Sequence, residues 1–307
     1  MPLKITKKLK NKNAFSLKKI LHEKIAGVQE ARPMHNIHAS DVTKGDKEFC
    51  PREYCLVDIT GKKRRDEFIG TSLRTTFHHG EDLQRRINEV YLEDIMVGNW
   101  VCRNCGEIKQ LCRKPTKGHC FTKSGIDHNW QYEEPRPLSK ISGISGGIDA
   151  LIITGEPKYR IYEIKTMASD AFKALVAPLA EHRIRTNLYM RLVAEDTTEL
   201  HDRVNTEVAN ILYVCKGFGC KDESLKLMGL KDAAFSPFKE FTVHRDDSTT
   251  LIFTRKAKLI KKFRGNGKMP DGVCNTSFCK RAKTCPVVSE CFSGKYPAQI
   301  TWNKKET

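Results

Sequence analysis

The feature that most restricts this chain's fold is a hairpin pattern near its middle. Ile148 to Ile153 is a compact apolar run, Gly155-Glu156-Pro157-Lys158 is a turn, and Tyr159 to Thr166 alternates as a second strand. Alternation puts Ile161, Glu163 and Lys165 on one face, with Tyr162 and Ile164 on the other. The turn is centred near Glu156 and Pro157, so position 163 falls opposite 149 or 150. Opposed residues lie roughly 5 Å apart at Cβ. Asp149 and Glu163 are therefore expected to converge, with Lys165 beside them. The apolar setting implies a central strand pair, and the expected fold is α/β, a mixed central β-sheet flanked by helices with a small zinc-binding insertion.

Two clustered carboxylates repel each other unless a proton or cation compensates. A hard ion with oxygen ligands, magnesium or manganese, suits Asp149 and Glu163. Such an ion polarises a phosphodiester oxygen and acidifies a bound water, while Lys165 orients the nucleophile or offsets developing charge. The competing explanation is an edge hairpin whose Glu163 and Lys165 are merely solvated. Gly146-Gly147 just before Ile148-Asp149 speaks for a site, because glycines let other groups approach the backbone closely.

The rest of the chain divides by composition. Residues 1–38 read as a basic arm with weak helical periodicity at Leu17, Ile20, Leu21 and Ile25. Residues 39–99 read as helical, with a segment from Ala39 to Leu56 opened by Ser40 or Asp41. A second helix lies within Phe68 to Ile95, with Leu83, Ile87, Val90 and Tyr91 on one stripe. In 100–132 the apolar pattern gives way to Cys, Gly, Lys and His, the composition of a metal-held insertion. Residues 133–265 form the core. There Ser169 is expected to cap a helix that Pro178 breaks, and a second helix runs from about Leu179 to Ala194. Strands follow at Val208 to Val214 and Glu240 to His244, then a basic helix from Leu251 to Phe263. Residues 266–307 carry a last cysteine cluster and a tail.

Twelve cysteines are many for a chain whose first ten residues lack the apolar block of a secretory signal. In a reducing compartment they are expected to bind metals rather than form disulfides. Cys102-Arg103-Asn104-Cys105-Gly106 is a zinc-knuckle signal, with Cys120 and His128 the preferred partners and Cys112 and His119 in reserve. Lys109, Arg113, Lys114, Lys117 and Lys123 surround it, able to grip a DNA backbone or to form a solvated face. Cys215 and Cys220 read as structural thiols. Lys and Arg total 54 against 37 Asp and Glu, a net charge of +17 that attracts polyanions such as DNA. No stretch approaches the roughly 20 apolar residues of a membrane helix. A soluble, cytoplasmic protein without a membrane partner is expected.

The arrangement resembles the PD-(D/E)XK nucleases, in which an Asp begins one strand and Glu-x-Lys lies on its antiparallel neighbour. It is most similar to their RecB-like branch, which includes phage and CRISPR-adaptation exonucleases with an iron–sulfur cluster. That branch has a cysteine with a Pro-Arg-x-Tyr tail before the core, as in Cys50-Pro51-Arg52-Glu53-Tyr54, and three cysteines after it. The resemblance spans about residues 39 to 292. It implies a restriction-endonuclease-like core and a metal-dependent deoxyribonuclease, an exonuclease of DNA replication, recombination or repair with a helicase or recombination partner. It also implies a 4Fe–4S cluster on Cys50, Cys274, Cys285 and Cys291, with Cys279 the first replacement. A zinc site built from the C-terminal cysteines alone is the alternative. Two positions depart from the branch. Gln84 stands where a metal-binding His is usual, with His79 a substitute in another register, and Arg185 stands where Gln precedes Tyr189. These departures motivate a second expectation, a catalytically weakened nuclease fold acting as a DNA-binding or scaffold subunit.

Overall fold

The computed structural model describes residues 17–44, 48–116, 118, 120, 126–216 and 236–302. The first elements are α1 (Leu17–Ile25), β1 (Gly27–Gln29), β2 (Ile37–His38), α2 (Ala39–Val42), α3 (Pro51–Thr60), β3 (Glu67–Ile69) and α4 (Thr71–Arg86). They lead to β4 (Met96–Cys102), β5 (Ile108–Arg113), β6 (Trp130–Glu133), β7 (Ile144–Ser145), β8 (Ala150–Ile152) and β9 (Tyr159–Met167). After these come α5 (Ser169–Ala174), α6 (Ala180–Ala194), α7 (Glu199–Arg203), β10 (Val204–Cys215), β11 (Phe238–His244), α8 (Ser248–Asn266) and α9 (Val288–Phe292).

Seven strands make one mixed sheet in the order β11-β10-β9-β8-β4-β5, with β6 also against β4. β9 and β10 are parallel, a pairing that needs a crossover, and α5 to α7 supply it. The other pairs are antiparallel. Gly155, at φ 85°, closes the turn of the central hairpin, and Ala150 pairs with Tyr162. Asp149 therefore stands one residue before β8, across from Glu163. On one face, Leu151, Ile161 and Ile211 pack with Leu188, Tyr189 and Leu192 of α6. On the other, Ala150, Ile152 and Ile164 pack with Ile87 just after α4. The expected α/β fold, a central mixed sheet between helices, is the observed one.

Several local expectations change. The segment from Ala39 to Leu56 is two helices, and the cap of α2 is His38 rather than Ser40 or Asp41. α3 begins at Pro51, whose missing N–H costs nothing in a first turn, and ends at Gly61 in the left-handed region, φ 66°. Ser169 does not cap α5, because Ala168 holds that position and the Ser169 hydroxyl is buried without a partner. The stripe of Leu83, Ile87, Val90 and Tyr91 breaks because a π turn spans Ile87–Tyr91. It buries Ile87 and leaves Val90 56% and Tyr91 63% exposed. The boundary set at residue 100 falls inside β4, and β4, β5 and β6 hydrogen-bond into the main sheet. The segment 100–132 is thus partly an extension of the sheet, with Trp100, Cys102 and Trp130 buried.

Candidate active site

The hairpin delivers both acids to one place. Lys165 Nζ lies 2.9 Å from Asp149 Oδ2 and 2.7 Å from Glu163 Oε1. Asp149 Oδ2 also accepts the Ile164 N–H at 2.8 Å. The Lys165 ammonium pairs with Glu163 Oε1, while Glu163 Oε2 is buried with no hydrogen-bond partner. A wholly buried carboxylate is costly unless a proton or a cation compensates it. Burial, reinforced by the Asp149 charge, pushes the Glu163 carboxyl up to about 7, against the pull of Lys165 and Arg185. Burial works against the Lys165 ammonium, but the two carboxylates outweigh it and hold its proton above the ordinary lysine range.

A third acid joins them that the sequence reading missed. Glu134 follows β6, where the chain through Pro135 and Pro137 runs beside Gly146 to Ile148: Ile148 N–H donates to the Pro135 carbonyl at 3.0 Å. Burial first, then the Asp149 charge, raises the Glu134 carboxyl above its ordinary range. The paired glycines make room for this. A Cβ on Gly147 would stand 2.0 Å from Glu134 Oε2, and one on Gly146 would stand 2.7 Å from the Tyr189 ring. The signal that could have found Glu134 was its place at the end of a strand, before a Pro-x-Pro run that keeps the chain extended. Gly147→Ala is expected to displace the Glu134 carboxylate, the mobile end of a flexible side chain. Any activity of the site should fall at least about 10-fold, the scale of disturbing a metal's immediate surroundings, while the unfolding midpoint in urea changes little.

α6 supplies the next layer. Tyr189 is buried, and burial together with the charges of Glu163 and Asp149 raises its phenol far above the ordinary range. Arg185, one turn earlier, places Nη1 3.6 Å from Glu163 Oε1, while its Nε donates to Thr43 Oγ1 at 3.2 Å. Burial, helped by Lys165 and Arg185, pulls His182 down to about 4, so its ring is neutral near pH 7. His38 falls to about 4 as well, through burial and then Arg32, with Arg136 and Arg185 adding to it. Gln84 is not brought in. It is half-buried on α4, whose Gly80 passes Thr166 on the face opposite Glu163, and among the described residues its side chain has no hydrogen bond to either acid. His79 is exposed on the same helix.

The Cys-x-x-Cys knuckle closes as expected. Donor atoms of Cys102, Cys105, Cys120 and His128 all lie within 4.8 Å of one another. A tetrahedral zinc ion bonds sulfur at about 2.3 Å and needs donors about 4 Å apart, so the group could hold one metal ion. Gly106, at φ 77°, allows the tight return, and Asn104 N–H points to Cys102 Sγ at 3.4 Å. His128 Nδ1 faces Cys105 Sγ at 3.6 Å, while Nε2 lies 3.4 Å from Glu107 Oε2, the outer carboxylate typical of a ligating histidine. Its ring stacks on Trp130 with centroids 4.7 Å apart. Cys112 is outside the group, and His119 lies outside the described residues. Of the surrounding cations, Lys109 pairs with Glu107 and Lys114 with Glu93, each at 2.6 Å. Lys117 and Lys123 are also outside the described residues, as is Cys220, whereas Cys215 is buried.

The other cysteine set is built differently. Cys50, Cys274, Cys285 and Cys291 line one pocket with Glu53, Gly272 and Arg281. No three of these sulfurs share the short mutual distances of the knuckle. Cys279 lies outside the lining, against Cys274, and accepts the Ala282 N–H at 3.3 Å. Arg52, within α3, donates to the Pro270 carbonyl at 3.0 Å and to that of Tyr296, and Arg281 bonds Glu53 and the Glu48 carbonyl. This pocket ties the chain around α3 to the C-terminal residues.

No family model matches the sequence, and no curated protein matches it. Among solved structures, the chain is similar to the crystal structure of SSO0001, with 15% identity, 90% of this chain and 93% of that chain covered, and a TM-score of 0.35. It is also similar to LHK-Exo in complex with dAMP, with 12% identity, 74% and 86% coverage, and a TM-score of 0.36. Among the described residues no helix is long and apolar enough to cross a membrane.

Proposed function

We propose that this chain is a metal-dependent deoxyribonuclease, acting as an exonuclease on phosphodiester bonds in DNA replication, recombination or repair. The observation that carries the proposal is the junction of Asp149, Glu163 and Lys165, with Glu163 wholly buried and its Oε2 without a hydrogen-bond partner. Oxygen donors alone fit magnesium or manganese, which would be held by Asp149 and Glu163 with Glu134 alongside. Such an ion, when bound, polarises a phosphoryl oxygen and lowers the pKa of a coordinated water.

The chain's own residues account for the rest. The Lys165 ammonium stays charged and offsets negative charge at a phosphoryl group. The Ile164 N–H fixes Asp149, so the carboxylate does not reorganise during the reaction. Arg185, on the same face of α6 as the buried Tyr189, would meet a phosphate. The net charge of +17 supplies long-range attraction for DNA. The four-thiol pocket suits a 4Fe–4S cluster with a structural role, and the knuckle suits zinc.

End-labelled linear DNA and circular DNA, incubated with the protein and Mn2+, test the proposal. Degradation of the linear form, stopped by a chelator, is the expected result. Binding without cleavage in both Mg2+ and Mn2+ would instead favour a DNA-binding scaffold, a reading that Arg185 beside Glu163 makes specific.

The raised Glu163 carboxyl also predicts a pH dependence for the metal-free protein. The folded chain binds this proton more tightly than the unfolded chain does. Its contribution is therefore greatest below the ordinary value near 4.5 and declines as pH rises to about 7. Urea midpoints measured in chelator should fall across that window, and Glu163→Gln should flatten the fall.

A further inference from the structure

The turn after α4 has a structure that α-helix propensity does not explain. At Ile87–Tyr91 the chain widens into a π turn, and Leu92 N–H donates to the Ile87 carbonyl at 2.9 Å. Such insertions are unfavourable unless something holds them, and they are frequent at functional sites. This one buries Ile87 and Asn88. Asn88 Nδ2 donates to the Asp149 carbonyl at 3.0 Å, whereas its Oδ1 is buried with no partner. An amide half satisfied in the interior is a poor choice for stability alone, since its Oδ1 is buried without a donor.

The contact falls where the sheet needs one. Ladder pairing of β8 with β9 begins at Ala150 with Tyr162, and Asp149 lies one residue outside it. Ile164 N–H bonds the Asp149 carboxylate, and Asn88 takes the main-chain carbonyl of the same residue. Asp149 is thereby clamped at both ends, by β9 through its side chain and by the π turn through its backbone.

We propose that Asn88 is a positioning residue that sets the placement of Asp149 toward Glu163, and so tunes the site's grip on a divalent cation. This rests on the nuclease reading above. The test compares Asn88→Leu and Asn88→Ala with the wild-type chain by Mn2+ titration, cleavage of linear DNA at graded Mn2+, zinc and iron content, and urea unfolding. Asn88→Leu is expected to fold with unchanged zinc and iron and a modestly lowered midpoint, because the Asp149 carbonyl loses its donor. Its Mn2+ affinity should fall about 10- to 100-fold, the usual cost of losing an outer-layer partner. Cleavage should recover in part at high Mn2+, which a merely structural role would not produce. Asn88→Ala reads the same shift should the leucine fail to fit. An active wild type beside variants with unchanged Mn2+ dependence would overturn the positioning role alone. A wild type that neither binds Mn2+ nor cleaves would remove the nuclease reading, and this inference with it.

Discussion

Glu163→Gln is expected to abolish metal-dependent cleavage while leaving the metal-free protein at least as stable above neutral pH. Glu163 is wholly buried, its Oε2 has no hydrogen-bond partner, and the Asp149 charge opposes its ionisation. Removing that charge relieves the repulsion and leaves Lys165 paired with Asp149 at 2.9 Å. The rate should drop by roughly 10³-fold, the upper scale for losing one preorganised electrostatic contact in a water-poor site. Lys165→Ala should cost roughly 10²- to 10³-fold for the same reason. It should also destabilise the metal-free chain, since it leaves two buried acids without their shared cation. Single-turnover cleavage and urea unfolding on the same preparations separate the two variants. An active Glu163→Gln enzyme would remove that carboxylate from the mechanism.

The second large effect is expected at the four-thiol pocket. Cys50 caps α3 from a buried position and lines the pocket with Cys274, Cys285 and Cys291. Cys50→Ser should lose bound iron and the absorbance at about 400 nm characteristic of such clusters. Stability should fall by at least about 3 kcal/mol, a fraction of the roughly 10 kcal/mol that a structural metal can contribute. Cys279→Ser should keep both iron and stability, because that thiol leans on Cys274 from outside the lining. Iron per chain and limited proteolysis of the C-terminal residues check both outcomes. A colourless protein carrying a second zinc ion would overturn the cluster assignment.

The central hairpin was legible because its information is local. Alternation fixed the faces, and a tight turn fixed the register to within a residue. α6 was legible because Pro178 marks its start, and α8 because its apolar positions recur at helical spacing. The grouping of Cys102, Cys105, Cys120 and His128 was legible because a short loop confines two sulfurs and few partners lie nearby. What stayed hidden depends on long-range geometry. β4 reads ambiguously because its buried residues include Trp100 and Cys102 inside a cysteine-rich stretch, and its partners are set by tertiary pairing. Glu134 reaches the acids only through the extended pairing of Pro135 with Ile148. Gln84 was placed by spacing from Gly80. Spacing does not reveal that α4 packs on the opposite face, nor that a π turn then presents Asn88 instead.

The most direct measurement is anomalous diffraction from crystals of the full chain soaked in Mn2+, collected at the manganese edge. A peak between the Asp149 and Glu163 carboxylates, close to Glu134, is expected, and it should disappear in Glu163→Gln. Manganese absent from that place at saturating concentration, with Lys165 still bridging the two acids, would contradict the nuclease reading.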